Sequence, residues 1–273
     1  MCGKTGHAVP GPGTEGEVSA MNAEERQSRI LALARHHGRV EVTTTAVDLA
    51  VAPETIRRDL SVLERRGLLR RTYGGAYPVE GAGFETGLPE RETLHVKDKR
   101  RIAAEAVKLL GDAETVFVDE GYTPQLLAAL LPGDRPLTVV TASLSTAAAI
   151  VDSPQVTVLL LGGRVRARTL ATVGSWACAM LERFVIDLAF LGSNGISREL
   201  GLTTPDPVVA DVKAKALAVS RRRVFMGHHS KFGASSFCRF AGVGDFEAIV
   251  TDMGLSSAEA HRYSLMGPRV HRV

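Results

Sequence analysis

Six arginines, at positions 57, 58, 65, 66, 70 and 71, stand against only Asp59 and Glu64 between Thr55 and Arg71. Arginine offers a planar fork of donors that suits phosphate oxygens and guanine edges. Ile56, Leu60 and Leu63 fall at i, i+4 and i+7, so the spacing predicts a helix with an apolar back. Arg57, Arg58, Ser61 and Arg65 project from its other faces. An arginine-fronted helix preceded by a second short helix is what a major-groove reader requires. A solvated basic face is the plainer reading, but the preceding helix, the tight turn and the basic hairpin that follows all agree with DNA binding. Arg57 and Arg58 are the candidate readers or clamps, Thr55 and Ser61 their supports, and Arg65, Arg70 and Arg71 the candidate phosphate contacts.

A second set of chemistry-bearing residues lies at the ends of short apolar runs in the later part of the chain. It comprises Asp119-Glu120-Gly121-Tyr122-Thr123, Thr141-Ala142-Ser143, Gly162-Gly163-Arg164, Gly192-Ser193-Asn194-Gly195, Lys213 and Ser230-Lys231. In an open α/β sheet, ligands bind beyond the carboxyl ends of the strands. The helix expected after Thr123 could offer its amides to a phosphate. A glycine at a strand end is usually turn chemistry and a lone lysine usually solvated; the recurrence along one sheet edge favours a ligand site.

The elements that position these residues follow from the order of the chain. Residues 1–20, rich in Gly, Pro, Thr and Glu, read as a disordered tail in which His7 and Cys2 are poor metal-ligand candidates. Asn22 and Glu25 have the spacing of a capping box before a helix striped by Ile30, Leu33 and Ala34 and stopped at Gly38. A short extended link, Val40–Val42, leads to a helix from about Thr44 to Ala50 packed through Val47, Leu49 and Ala50. Val51-Ala52 make the turn, and Pro53 suits the first position of the arginine helix. Gly67 closes that helix. A wing hairpin turns around Gly74-Gly75, with Tyr73 and Tyr77 as wing core or backbone contacts. Together these make a winged helix-turn-helix over 21–77, a linker over 78–92 with Gly81, Gly83 and Gly87, and an α/β domain over 93–273. In the last, strands at 115–119, 137–141, 156–161, 187–191, 223–226, 248–251 and 269–273 alternate with helices near 102–110, 125–131, 144–151, 175–183, 207–220 and 256–263. That alternation predicts a mostly parallel sheet with helices on both faces.

Length, charge and cysteine content set bounds. The chain has 273 residues, 45% hydrophobic and 23% charged, with a net charge of +3, so the arginine clustering rather than the total charge points to nucleic acid. No apolar run approaches a membrane span, and the odd, scattered Cys2, Cys178 and Cys238 suit a reducing cytoplasm. There is no GxGxxG fingerprint and no P-loop, so no nucleotide cofactor is expected. His228-His229 and Cys238 are close in sequence, but no fourth ligand has recognisable spacing, and no metal is expected.

The block Thr55-Ile56-Arg57-Arg58-Asp59-Leu60, then Leu63-Glu64-x-x-Gly67-Leu68-Leu69-x-Arg71, then Gly74-Gly75-Ala76 resembles the DNA-binding signature of the DeoR family of bacterial transcription regulators. The later part resembles that family's effector domain at Asp119-x-Gly121-x-Thr123, Thr141-x-Ser143, Leu161-Gly162-Gly163, Asp187-x-Ala189-Phe190-Leu191-Gly192, Gly195-Ile196, Gly201-Leu202-Thr203-Thr204, Ser230-Lys231-Phe232-Gly233 and Thr251-Asp252. The resemblance implies a ribose-phosphate isomerase-like fold that binds a phosphorylated sugar without turning it over. It also implies a repressor of carbohydrate genes and a homo-oligomer, dimer or tetramer, on double-stranded operator DNA, with no membrane partner. The family usually has Ser at Ala52, Thr or Ser at Tyr122, Asn at Ala142, Glu at Val209 and Asp at His228. The first departure loses an N-cap hydroxyl; the other four would strip polar groups from the expected pocket. The competing reading is a sugar-phosphate isomerase carrying a DNA-binding module, with Asp119, Glu120, Asp187 and Lys231 as acid–base candidates. A third is a metal or redox sensor at His228, His229 and Cys238.

Overall fold

The structure, a computed structural model, describes residues 21–65, 68–78 and 87–273. The expected tail at 1–20, the expected helix stop at Gly67, Arg66 and the linker glycines 81 and 83 lie outside the described residues.

The first unit is built from α1 (Ala23–His37), β1 (Val40–Glu41), α2 (Val42–Asp48), α3 (Pro53–Arg65), β2 (Leu69–Thr72) and β3 (Gly75–Pro78). Both halves of the Asn22–Glu25 capping box form, and Gly38 ends α1 in the left-handed region at φ 73°. Ile30, Ala34, Val42, Ala46, Leu49, Ile56, Leu60, Leu63 and Leu69 close one small core. Asp59, on the buried side of α3, accepts from Arg26 Nε at 2.5 Å and Gln27 Nε2 at 2.9 Å. That pairing ties α3 to α1. β2 and β3 pair antiparallel around Tyr73-Gly74, one residue earlier than the Gly74-Gly75 turn expected, and β1 completes a three-stranded sheet. Tyr73 is fully exposed at the tip, so it is not wing core. α2 starts two residues before the expected Thr44. Its buried residues are Val42, Thr45 and Ala46, whereas Val47, expected to pack, is 80% exposed and Ala50 is exposed at φ 52°.

The stretch expected to be linker contains α4 (Leu88–Thr93), and α5 (Val96–Ala106) follows at once. The second unit continues with β4 (Thr115–Val118), α6 (Tyr122–Ala128), β5 (Leu137–Thr141), α7 (Leu144–Ile150), β6 (Val156–Leu160), β7 (Arg164–Arg166), β8 (Ala171–Val173), α8 (Ser175–Leu181) and β9 (Ile186–Leu191). It ends with β10 (Gly195–Ser197), β11 (Gly201–Thr204), α9 (Pro207–Ala218), β12 (Ser220–Met226), β13 (Cys238–Ala241), β14 (Ala248–Thr251), α10 (Ser257–Ser264) and β15 (Arg269–Arg272).

Seven strands form one parallel sheet in the order β15-β14-β12-β9-β4-β5-β6. Alternate residues face opposite sides. Val116, Val118, Leu188, Phe190, Val224 and Val250 meet α5 and α6 residues Ile102, Ala106 and Leu127. Phe117, Ala189, Leu191, Phe225 and Ile249 meet α8, α9 and α10 residues Leu181, Ala216 and Tyr263. Two further sheets were not expected: the β7–β8 hairpin and an antiparallel sheet β10-β11-β13. From β4 the chain grows outward through β5 and β6, then returns to the other side of β4 with β9 and grows outward through β12, β14 and β15. The direction of winding therefore reverses between β4 and β9, which is where an open parallel sheet leaves a crevice.

Candidate functional site

The arginine face is assembled by helix and wing together. Burial of Ile56, Asp59, Leu60 and Leu63 fixes which way α3 faces and leaves Arg57, Arg58 and Arg65 exposed, with Thr55 half-buried at the helix start. Arg57 Nη1 donates to Glu54 at 2.8 Å. Ser61 Oγ donates to the Arg57 carbonyl at 2.8 Å and accepts from Arg71 Nη1 at 2.8 Å. Arg71 N donates to Glu64 Oε1 at 3.0 Å. The wing thus abuts the front of α3, and Arg70 and Arg71 lie exposed on β2. Ser61 spends its hydroxyl inside this frame.

At the β4–β9 crevice, a cavity of about 80 Å³ is lined by Arg91, Lys99, Glu120, Gly121, Tyr122, Thr123, Pro124, Gly192, Ser193, Asn194, Lys213, Met226, Gly227, His228 and Lys231. The ends of β4, β9 and β12 and the junction of α4 with α5 supply its walls. Asp119 lies just beneath. It accepts from Gly192 N at 2.9 Å and is paired with the fully buried Lys213. Lys213 also stands 3.8 Å from Glu120 and donates to the Gly192 carbonyl at 3.3 Å. Its charge is therefore matched within the wall, and it holds the β4 and β9 ends together. Asn194 is buried, with Oδ1 accepting from Thr204 Oγ1 at 3.1 Å. The cations nearer the opening are Arg91, 3.8 Å from Glu120, and Lys99 and Lys231. Lys99 donates to the Arg91 carbonyl at 2.6 Å and lies 5.6 Å from the Tyr122 ring centre. Burial, then the nearby charges of Lys231 and Arg91, push the Lys99 ammonium down to about 8. Burial likewise pushes the His228 imidazole down to about 4, with His95 adding to the effect.

The structure brings Gly121, Tyr122, Thr123, Gly192, Asn194, Lys213 and Lys231 to this cavity, with Asp119 below it. It does not bring Thr141, Ser143, Gly162, Gly163, Arg164, Gly195 or Ser230 there. Thr141 Oγ1 accepts from Ser143 N at 3.0 Å, and Ser143 Oγ accepts from Thr146 N at 3.1 Å to cap α7. Gly162 N points at Met180 Sδ, 3.1 Å away. A Cβ at Gly163 would come 2.6 Å from the Val173 carbonyl oxygen, and one at Gly195 would come 2.5 Å from that of Ala234. These glycines admit close backbone approach. Arg91 and Lys99 were missing from the expected set. Arg91 and Lys99 sit at the linker edge of the fold, where no strand end signals a site. Of the four departures placed in the pocket, Tyr122 and His228 do line the cavity. Ala142 and Val209 are buried in the core, so their loss of polar groups falls outside it. Asp187, an isomerase-type acid–base candidate, stands at the opposite end of β9. There it accepts from Thr115 Oγ1 at 2.8 Å and from the amides of Thr115 and Glu114 at 3.0 and 3.2 Å.

Comparison with known proteins bears on both units. Residues 26–80 match the DeoR-like helix-turn-helix domain and residues 94–253 the DeoR C terminal sensor domain. The chain is 35% identical to the uncharacterized HTH-type transcriptional regulator FruR of Bacillus subtilis, over 85% of this chain and 92% of that one. It is 36% identical to the HTH-type transcriptional regulator GlpR of Haloferax volcanii, over 84% and 89%. It is 28% identical to the glycerol-3-phosphate regulon repressor of Escherichia coli, over 85% and 92%. A ribose 5-phosphate isomerase A from Methanocaldococcus jannaschii shares 17% identity over 49% of this chain and 53% of its own, with a TM-score of 0.35, too remote to argue from. An arginine-faced helix-turn-helix joined to a sensor domain whose crevice gathers cations, matched over both units and over most of the length of these regulators, places the chain in the DeoR family of transcription regulators.

Proposed function

We propose that this protein is a repressor that reads operator DNA as a homo-oligomer through α3 and the wing, and that a phosphorylated sugar or related small anion in the β4–β9 crevice weakens that hold. The observation that carries it is the Arg57–Ser61–Arg71 chain of hydrogen bonds, which joins helix front and wing into one exposed cationic surface. Arg57 and Arg58 read bases, Arg65, Arg70 and Arg71 hold phosphates, and Thr55 and Ser61 support them. In the crevice, Arg91, Lys99 and Lys231 supply charge for a phosphate. The E. coli relative, by its name a glycerol-3-phosphate regulon repressor, fits a ligand of that chemistry. Catalysis is not part of the reading, because Asp119 is committed to Lys213 and Asp187 to the far end of the sheet. A cytoplasmic setting is part of it, since Cys178 and Cys238 carry free thiols.

The test is binding of the purified full chain to genomic fragments at a stated salt concentration, repeated with a panel of sugar phosphates. Specific fragments released by one compound are expected. Replacing Arg57 and Arg58 together by Ala is expected to weaken specific binding by about 1–3 kcal/mol for each base-reading arginine. Unchanged affinity and sequence preference in that variant would remove α3 as the reader.

A further inference from the structure

Beside the crevice, five titratable side chains from three distant parts of the chain come together: His95 and Asp98 at the start of α5, His228 and His229 after β12, and Asp252 after β14. His228 is buried, with 3% of its surface exposed, yet its Nε2 has no hydrogen-bond partner. That atom lies 3.4 Å from Asp98 Oδ2 and 3.8 Å from Asp252 Oδ2. Candidate ligand atoms of His95, Asp98 and His228 all lie within 4.8 Å of one another. Two carboxylates face one buried, unpartnered nitrogen, and a cation between them would lower their mutual repulsion.

We propose that His95, Asp98 and His228 bind one divalent transition cation of the zinc type at the rim of the crevice, with the Asp252 carboxylate, 3.8 Å from His228 Nε2, drawn in as the fourth ligand. Bonds of about 2.0–2.1 Å to nitrogen and oxygen place tetrahedral neighbours roughly 3.4 Å apart, close to the spacings already present around His228 Nε2. Two imidazoles with two carboxylates suit zinc or nickel rather than magnesium or calcium. The supporting shell is in place. His228 Nδ1 accepts from Ser230 N at 3.2 Å and lies 3.0 Å from Ser230 Oγ; with an ion on Nε2 the Nδ1 proton would be given to that hydroxyl instead. Asp252 is held by His229 Nδ1 at 2.6 Å, His229 N at 2.7 Å and Gly254 N at 2.9 Å, hydrogen bonds of the kind that orient a ligating carboxylate. The His95 and His228 rings stack at 3.8 Å, so their lone pairs run side by side. His95 is exposed and can turn its ring to converge on the ion. On α5, Lys99 is directed to the Arg91 carbonyl, and Arg101 Nη2 donates to Asp98 Oδ1 at 2.6 Å, which leaves Asp98 Oδ2 to face the ion. A bound ion would add positive charge to the crevice wall and clamp the start of α5 to the ends of β12 and β14.

The experiment is titration of the chelator-stripped full chain, without a histidine tag, with zinc by calorimetry and with cobalt by visible absorption. One ion per chain is expected, with cobalt bands of four-coordinate intensity. His95→Ala and Asp98→Asn replace residues outside the core and are expected to abolish uptake, with metal-free thermal unfolding unchanged. His229→Ala is expected to weaken uptake on the order of tenfold through Asp252. Absence of stoichiometric uptake, or uptake that His95→Ala and Asp98→Asn leave intact, would overturn the site. Neither result depends on operator binding, so this site and the regulator reading fail separately.

Discussion

At the residue scale, the buried and half-buried carboxylates of this chain act mainly as brackets between elements. Asp59 joins two helices, Asp119 joins two strand ends, and Asp187 gathers two amides and a hydroxyl where β4 begins beside β9. The Thr115 hydroxyl, then the Thr115 and Glu114 amides and Arg221, hold the Asp187 carboxyl below its ordinary value of 3.8. A depressed folded-state value contributes stability that is complete above the unfolded value and is lost as pH falls through the folded one. The Thr115–Asp187 bracket should therefore stabilise fully above about pH 4 and fade below it. Asp187→Asn keeps an acceptor but removes the charge. It is expected to lower the thermal midpoint at neutral pH, with a gap to the parent that narrows as pH is brought below about 4. A gap independent of pH would remove the charged form of Asp187 as its cause. Asp119 and Asp187 were both readable as polar residues at the ends of an apolar run. What each one does was not, because Thr115 lies 72 residues from Asp187 and Lys213 lies 94 from Asp119, and only the pairing of β4 with β9 and the packing of α9 make them neighbours.

Elements read from period alone came out closest where one face is buried and the period is clean. β5 and β14 have the bounds that their apolar runs indicate, and α1 keeps both its cap and its glycine stop. The misses have local physical causes. β10 and β11 are three and four residues long and begin at glycines, so no alternation develops within them. α4 begins at Leu88-Pro89 in a stretch whose glycines read as linker, although a proline near a helix start is at home there. Val47 looks like core by type, but α2 is only seven residues long and its buried side is taken by Val42, Thr45 and Ala46. The start of α3 shows what the missing hydroxyl at position 52 does. The Ala52 carbonyl accepts from Thr55 N at 2.9 Å, so Ala52 occupies the cap position, but its methyl group offers nothing to the Glu54 and Thr55 amides. Ala52→Ser is expected to raise the stability of the DNA-binding unit by about 1 kcal/mol, read as a higher urea midpoint at unchanged slope. No gain would mean that water already satisfies the Glu54 amide and that the Ala52 carbonyl suffices for the Thr55 amide.

For the whole molecule, the question is how a crevice in one unit could reach a helix in the other, and α4 with the residue after it touches both. Arg91 on α4 lines the crevice. Leu88 N donates to the Arg168 carbonyl at 3.0 Å, which seats α4 on the sensor unit. Leu94, directly after α4, lies against Gly38 at the end of α1, so closely that a Cβ there would be 2.9 Å from Leu94 Cδ1. The cavity of about 80 Å³ is smaller than pockets that enclose a whole small molecule, so on the regulator reading a sugar phosphate bound there would extend out of it or part its walls. Arg91 is the wall that leads to α4, and moving α4 moves Leu94 against the turn that ends α1. α1 in turn is bound to the recognition helix through Arg26, Gln27 and Asp59. On the regulator reading, Leu94→Ala should leave operator affinity of the ligand-free protein and ligand affinity of the DNA-free protein near their parent values. The effect of the ligand on operator affinity, typically 5- to 150-fold or about 1–3 kcal/mol in such couplings, should shrink towards none. Both affinities are measured with and without the other partner, closing a thermodynamic cycle. A variant that retains the parent's full coupling would show that the signal passes by another route, for instance through rearranged subunits, and α4 would be left as a spacer.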